Sequence, residues 1–142
     1  MSAYVVYDVA TGRPTRSFGK LPNDEVLALV IASCGKESTL AIEMIASQGM
    51  SVGAEVFETC VWVGRFMQTF GASRTVRVYR NQVKLHLCGQ VRAKDGNVRQ
   101  ALIDRYGGPT AVGTKKAPGI LYGISNDVWQ ALACAVTFVD TL

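Results

Sequence analysis

A carboxylate set inside an apolar run is the first residue in this sequence that chemistry has to account for. Glu43 stands in LAIEMI, residues 40–45, and a charge in such a setting is costly to bury unless it is paired, hydrogen-bonded or bound to a cation. Two readings are open: a functional acid that gathers a cation, or a strand-end glutamate that meets one of the chain's many arginines. Asp127 is the second candidate. It stands at the head of the apolar run VWQALACAV, where the helix dipole alone favours an acid. Gln130, one turn on, shares its face and projects the same way.

Other residues that invite chemistry are set aside by their surroundings. Gly35-Lys36-Glu37-Ser38-Thr39 faintly resembles a phosphate loop, but Val30 stands where the leading glycine belongs and Lys36 is not followed by Ser or Thr. His86 alternates with apolar residues and lacks a nearby Ser or Cys with an orienting acid, so packing or a backbone contact is expected there. Cys34, Cys60, Cys88 and Cys134 are widely spaced in apolar stretches and form no CxxC pair. Buried free thiols are expected, with neither a zinc site nor a disulfide framework.

The net charge of +4 conceals an uneven distribution. From Arg65 to Lys116 there are eleven Lys or Arg against two acids, whereas the first 64 residues carry seven acids and four bases. That polarity predicts one basic face, the electrostatic footprint of a polyanion partner. Lys84, Arg92, Lys94, Arg99, Lys115 and Lys116 are the expected phosphate contacts.

The elements that must position these residues follow from periodicity. Residues 3–8 read as a short strand, and Thr-Gly-Arg-Pro turns it into a second strand through Phe18. Pro22-Asn23-Asp24-Glu25 starts a helix that stops near Gly35. Residues 39–45 have the continuous apolar character of a strand buried on both faces. Apolar spacing predicts a long helix over 52–70, ending at Gly71. A strand over 75–79, a short helix over 82–87 and a basic amphipathic helix over 95–106 come next. A glycine-rich loop spans 107–123, and Ser125 or Asn126 caps a last helix reaching Val139. The order predicts an α/β fold with a mixed sheet, in a single domain over residues 1–142. No apolar run reaches the roughly 20 residues of a membrane span, and MSAYVVYD lacks a basic region before an apolar stretch, so a cytoplasmic protein with no membrane partner is expected.

Three segments together resemble RuvC-like Holliday junction resolvases, especially those encoded by phages. LAIEMIASQGM followed by a long helix is similar to that family's second acidic motif. QVKLHLCGQVRAKDGNVRQAL resembles its Val-Lys helix, glycine, Arg-Ala and charged pair opening a helix, and is the most specific of the three. SNDVWQALACAVTF resembles its closing helix. The likeness runs from about Ala3 to Phe138. It implies an RNase H-like fold, a homodimer, branched or four-way junction DNA as partner, and phosphodiester hydrolysis with Mg²⁺ or Mn²⁺. It also implies Glu43 and Asp127 as catalytic metal ligands, with Gln130 standing where the family carries a further acid. The family opens on a central strand ending in Asp-Pro-Gly, whose Asp is the first metal ligand. AYVVYD resembles instead the strand after it, and Asp8, followed by Val-Ala-Thr-Gly, reads as a hairpin residue. The expected fold therefore lacks its first central strand, and the site its first acid.

Overall fold

In the computed structural model, residues 1–142 are described except Cys34, Lys36, Ser47, Gln48, Met50 and the side chain of Ser33. The expectations for Cys34 and Lys36, and for the tail of LAIEMIASQGM, lie outside the described residues. The chain is mixed α/β. Strand β1 (Ser2–Asp8) and strand β2 (Arg13–Leu21) form an antiparallel hairpin, and helix α1 (Asn23–Ser33) leads to strand β3 (Leu40–Met44). Helix α2 (Ala54–Phe70) and a short 3₁₀ turn (Ala72–Arg74) lead to strand β4 (Thr75–Tyr79), parallel to β3. Helices α3 (Arg80–Cys88), α4 (Asp95–Arg105), the four-residue α5 (Pro109–Val112) and α6 (Val128–Asp140) complete the order.

The periodicity located each of these elements to within a few residues, with α5 the one departure inside the expected 107–123 loop. What differs is how the strands assemble. The four described strands form two two-stranded sheets, β1–β2 and β3–β4, rather than one mixed sheet. Helix α6 packs on both, touching β1, β2 and β3. On the other side α1 packs on α2, α1 on β1, and α2 on β3. Strand β3 was expected to be buried on both faces, yet all five of its residues are only half-buried. The reason is that one of its edges pairs with β4 and no described strand lies beside the other.

The contiguous core centres on α6, whose Val128, Trp129, Leu132, Ala133, Cys134 and Val136 meet Val98, Leu102 and Ile103 of α4, with Val78 and Val83. Ala3, Val5 and Tyr7 of β1 and Ala41 of β3 pack against it, so alternate residues of these strands face α6. The hairpin is fastened at its turn end by Tyr106, whose hydroxyl donates to the Gly12 carbonyl at 2.9 Å and lies 3.2 Å from that of Tyr7. Arg16 on β2 donates to the carbonyls of Gly119 and Tyr122 at 3.0 and 3.1 Å, tying the glycine-rich segment to the hairpin. Within that segment a Cβ on Gly119 would come 2.0 Å from the Ala111 carbonyl oxygen, so only glycine permits the approach.

Among the described residues no helix is long and apolar enough to cross a membrane. Cys60 and Cys88 are half-buried free thiols and Cys134 is a buried one, whose pKa burial pushes up to about 12.

Candidate functional site

Glu43 is the fourth residue of β3, and alternation along the strand turns it to the same side as Ala41, toward α6. Parallel pairing sets Glu43 opposite Val78 and Met44 opposite Tyr79, so Arg80, the first residue of α3, emerges beside the carboxylate. Arg80 Nη1 lies 3.5 Å from Glu43 Oε1, while its other terminal nitrogen is ion-paired to Asp95 at the head of α4. Glu43 thus meets an arginine, as the second of its two readings has it, and it also lines a cavity.

The second acid arrives from the far end of the chain. Asn126 takes a left-handed φ of 49° and Asp127 holds the cap position of α6. Capping by the side chain of Ser125 or Asn126 was expected, but no side-chain cap hydrogen bond forms. The backbone closes the turn itself, Val128 N–H donating to the Ser125 carbonyl and Trp129 N–H to that of Asn126. The Asp127 carboxylate is therefore free to turn to Lys20 on β2, at 2.5 Å. Asp127, Gln130 and Glu43 line one cavity of about 990 Å³, together with Arg80.

Burial raises the pKa of the Glu43 carboxyl above its ordinary value. Arg80 opposes that rise, Asp95 and Asp127 reinforce it, and Lys84 opposes it more weakly. Lys84 shares a smaller hollow with Glu43 and Arg80, so of the expected phosphate contacts it lies nearest the acids. Lys94 immediately precedes Asp95, and its N–H donates to the Asn97 side chain at 2.9 Å, which leaves its own chain exposed. Arg99 lies over the Trp129 ring with its guanidinium carbon 5.2 Å from the centroid. Arg92 is exposed between α3 and α4, and Lys115 and Lys116 are exposed on a tip closed by the Gly113–Pro118 bridge. No described contact ties that tip to the mouth. Lys84, Arg92, Lys94, Lys115 and Lys116 form no ion pair with a described residue and remain available to an anionic partner.

Two other residues resolve differently. Asp8 sits in the hairpin turn, accepting from the Ala10 N–H at 3.0 Å. It stands at the opposite end of β1 from Ala3, the register partner of Lys20. His86, expected to pack or to contact backbone, instead places Nε2 2.7 Å from Asp140 Oδ2. That carboxylate ends α6, where the helix dipole disfavours a negative charge, and it is held by a two-pronged pair with Arg105 at 2.6 Å on each prong.

Arg80, Lys20 and Asp95 are site residues that sequence reasoning did not single out, since strand register and a hairpin crossing bring them in. The signal for Arg80 was its position just past the end of a strand adjacent to β3. As a metal centre the arrangement falls short. Among the described residues no three His, Cys, Asp or Glu side chains cluster to hold an ion. Glu43 and Asp127 each face a cation already, so a divalent ion entering here has to displace Arg80 and Lys20. The residues present do not fit a two-ion centre.

No family model matches the chain, and no curated protein matches it in sequence.

Proposed function

We propose that this chain is an RNase H-like module of the RuvC type that acts on Holliday junctions or other branched DNA, and that the hydrolytic site of the family is incomplete in it. The observation that carries this reading is that Glu43 and Asp127, eighty-odd positions apart in sequence, line one cavity with Gln130 and are electrostatically coupled, with Lys84 in a hollow beside Glu43. Acids lining a cavity, a lysine beside one of them and further exposed bases on the surface suit a ligand whose phosphates are drawn in by charge. In the family Mg²⁺ or Mn²⁺ supplies the polarisation of the phosphodiester. This chain's own residues contribute two carboxylates, already countered by Arg80 and Lys20. Binding without cutting, the second reading, is favoured by that pairing.

The test is a cleavage and binding assay on a synthetic four-way junction with Mg²⁺ and with Mn²⁺. Residues 1–142, their Glu43→Gln variant and a version extended at the N-terminus by a strand ending in Asp are compared. Junction binding with little or no cutting by the chain itself, and cutting by the extended version, is the expected result. Metal-dependent cutting by residues 1–142 that Glu43→Gln abolishes makes the site complete and moves Asp8 or Asp95 into it. No preference for junction over duplex removes the functional reading altogether.

A further inference from the structure

The same cavity has a second aspect, independent of any nuclease reading: its walls are the edges of two sheets. Consecutive residues of β1, Ser2 through Tyr7, and of β3, Leu40 through Glu43, line it. Side chains alternate across a strand, so a cavity that touches every residue in turn lies along the backbone edge rather than against one face. Each strand's one described partner, β2 for β1 and β4 for β3, pairs with its other edge. Residues 2–7 and 40–44 make no described backbone hydrogen bonds beyond those of the β1–β2 and β3–β4 pairs. Two rows of N–H and C=O groups therefore face each other across one space, where unmet backbone groups are costly.

The core is divided at the same place. Val26 of α1 and Val63, Phe66 and Phe70 of α2 are buried, yet they stand outside the contiguous cluster built on α6. All four line the cavity, as do Cys134 and Phe138 of α6 across from them. The space is a slot with sheet edges at its sides and apolar helix faces above and below. Its size is that of one strand. Six residues rising about 3.3 Å each, with about 4.8 Å to a neighbouring strand and a layer about 10 Å deep, occupy on the order of 950 Å³, against about 990 Å³ for the cavity.

The walls also have a defined polarity. Lys20 pairs in register with Ala3, near the start of β1, and reaches Asp127, which is electrostatically coupled to Glu43 near the end of β3. Val9, beyond the end of β1, and Thr39, ahead of β3, line the same cavity. The two walls thus run in opposite directions, and any single strand between them is antiparallel to one and parallel to the other.

We propose that this slot is an acceptor site for one extended polypeptide strand of about six residues, apolar on both faces, hydrogen-bonded to β1 on one side and to β3 on the other. Its main-chain groups complete both edges, as in strand addition to an open sheet, and its side chains join the α1–α2 cluster to the α6 core. Flanking by helices on both faces requires an apolar sequence rather than an alternating one.

The experiment is amide hydrogen exchange on residues 2–7 and 40–44 of the full chain. It is compared with the chain carrying Val-Ile-Val-Ile-Val-Ile joined ahead of Ser2 by an Asn-Gly turn, and with the same extension bearing Pro at alternate positions. The Val-Ile extension is expected to slow slot-facing amides of both β1 and β3 at least ten-fold and to raise Tm, and the Pro version, which cannot complete the ladders, is expected to do neither. Protection of β1 alone, or of neither strand, overturns the proposal. So does slow exchange of both edges in the chain as it stands, which means that β1 and β3 pair directly. If that protection grows with protein concentration, a second copy is the occupant. Binding of dodecanoate without amide protection, where the Val-Ile extension also gives none, makes the slot a site for an acyl chain instead.

Discussion

Glu43 shows how one side chain can be informative and incompletely readable at once. Its place in an apolar strand made it conspicuous, but the identity of its partner depended on a register that no local pattern encodes. Arg80 becomes its neighbour only because β4 aligns Val78 with Glu43. The raised pKa of Glu43, caused first by burial, carries a sign for stability. A carboxyl whose folded pKa exceeds its unfolded value of about 4.3 costs stability when ionised, and the cost disappears as pH falls through the folded value toward the unfolded one. Glu43→Gln is therefore expected to raise Tm at pH 7 and to leave it unchanged near pH 3, measured by thermal unfolding. A lower Tm at pH 7 makes the pair with Arg80 outweigh the burial. Asp140 has the opposite sign. Hydrogen bonds from Arg105, and then from His86, hold its carboxyl below the ordinary range. Its stabilisation is complete above about pH 4 and fades as pH falls through the depressed folded value. Asp140→Asn is expected to cost about 1 kcal/mol at neutral pH, with the loss shrinking below pH 4 in denaturant titrations.

At the scale of elements, periodicity was a reliable guide because the spacing or run of apolar residues is local to each helix and strand. Helix α2 tests that logic where it has most to bury. Its apolar positions, Val61, Trp62 and Phe66 among them, exceed one stripe, and that excess predicts a homodimer surface. The structure divides these residues: Phe66 is buried, Trp62 is half-buried beneath the Arg65 guanidinium at 3.9 Å, and Val61 is exposed with Phe57 one turn before it. If two copies meet along this helix, Phe57 and Val61 are the residues that seal the contact. Sedimentation at micromolar concentration is expected to show a dimer that Phe57→Ser with Val61→Ser converts to monomer. A monomer from the unaltered chain refutes pairing. Element boundaries could be read because they are local. The split of the sheet could not, since pairing joins residues far apart in sequence and a strand's apolar character does not reveal whether one neighbour or two lie beside it.

For the whole molecule, the uneven charge along the sequence leaves Lys84, Arg92, Lys94, Lys115 and Lys116 without an ion pair to any described residue. Lys84 and Arg92 sit on and just beyond α3, with Lys84 beside the acids, so phosphate binding by both is expected to contribute to junction affinity. A side chain that no longer neutralises a phosphate frees one fewer counterion, and replacing both with Ala should make the slope of log K against log salt shallower by about 2. An unchanged slope removes them from the interface. The acids and the bases could both be picked out beforehand by type, but the sharing of one cavity by Asp127 and Glu43 could not, since it follows from α6 packing on both two-stranded sheets.

The unequal guarding of the strand edges has a practical consequence for handling the protein. The hairpin's outer strand, β2, carries Arg13, Pro14, Arg16 and Lys20, the residues that commonly discourage lateral growth of a sheet. Strand β1, reading SAYVVYD, and β3, reading LAIEM, carry one acid each and no Lys, Arg or Pro. Short segments rich in β-formers and poor in charge seed cross-β stacking when exposed. In this molecule α1, α2 and α6 pack on these strands and keep them from other chains. Fluctuations that lift α1 and α2 are thus the route to fibrils, and concentrated stocks held warm are expected to gain thioflavin fluorescence that Val5→Lys suppresses.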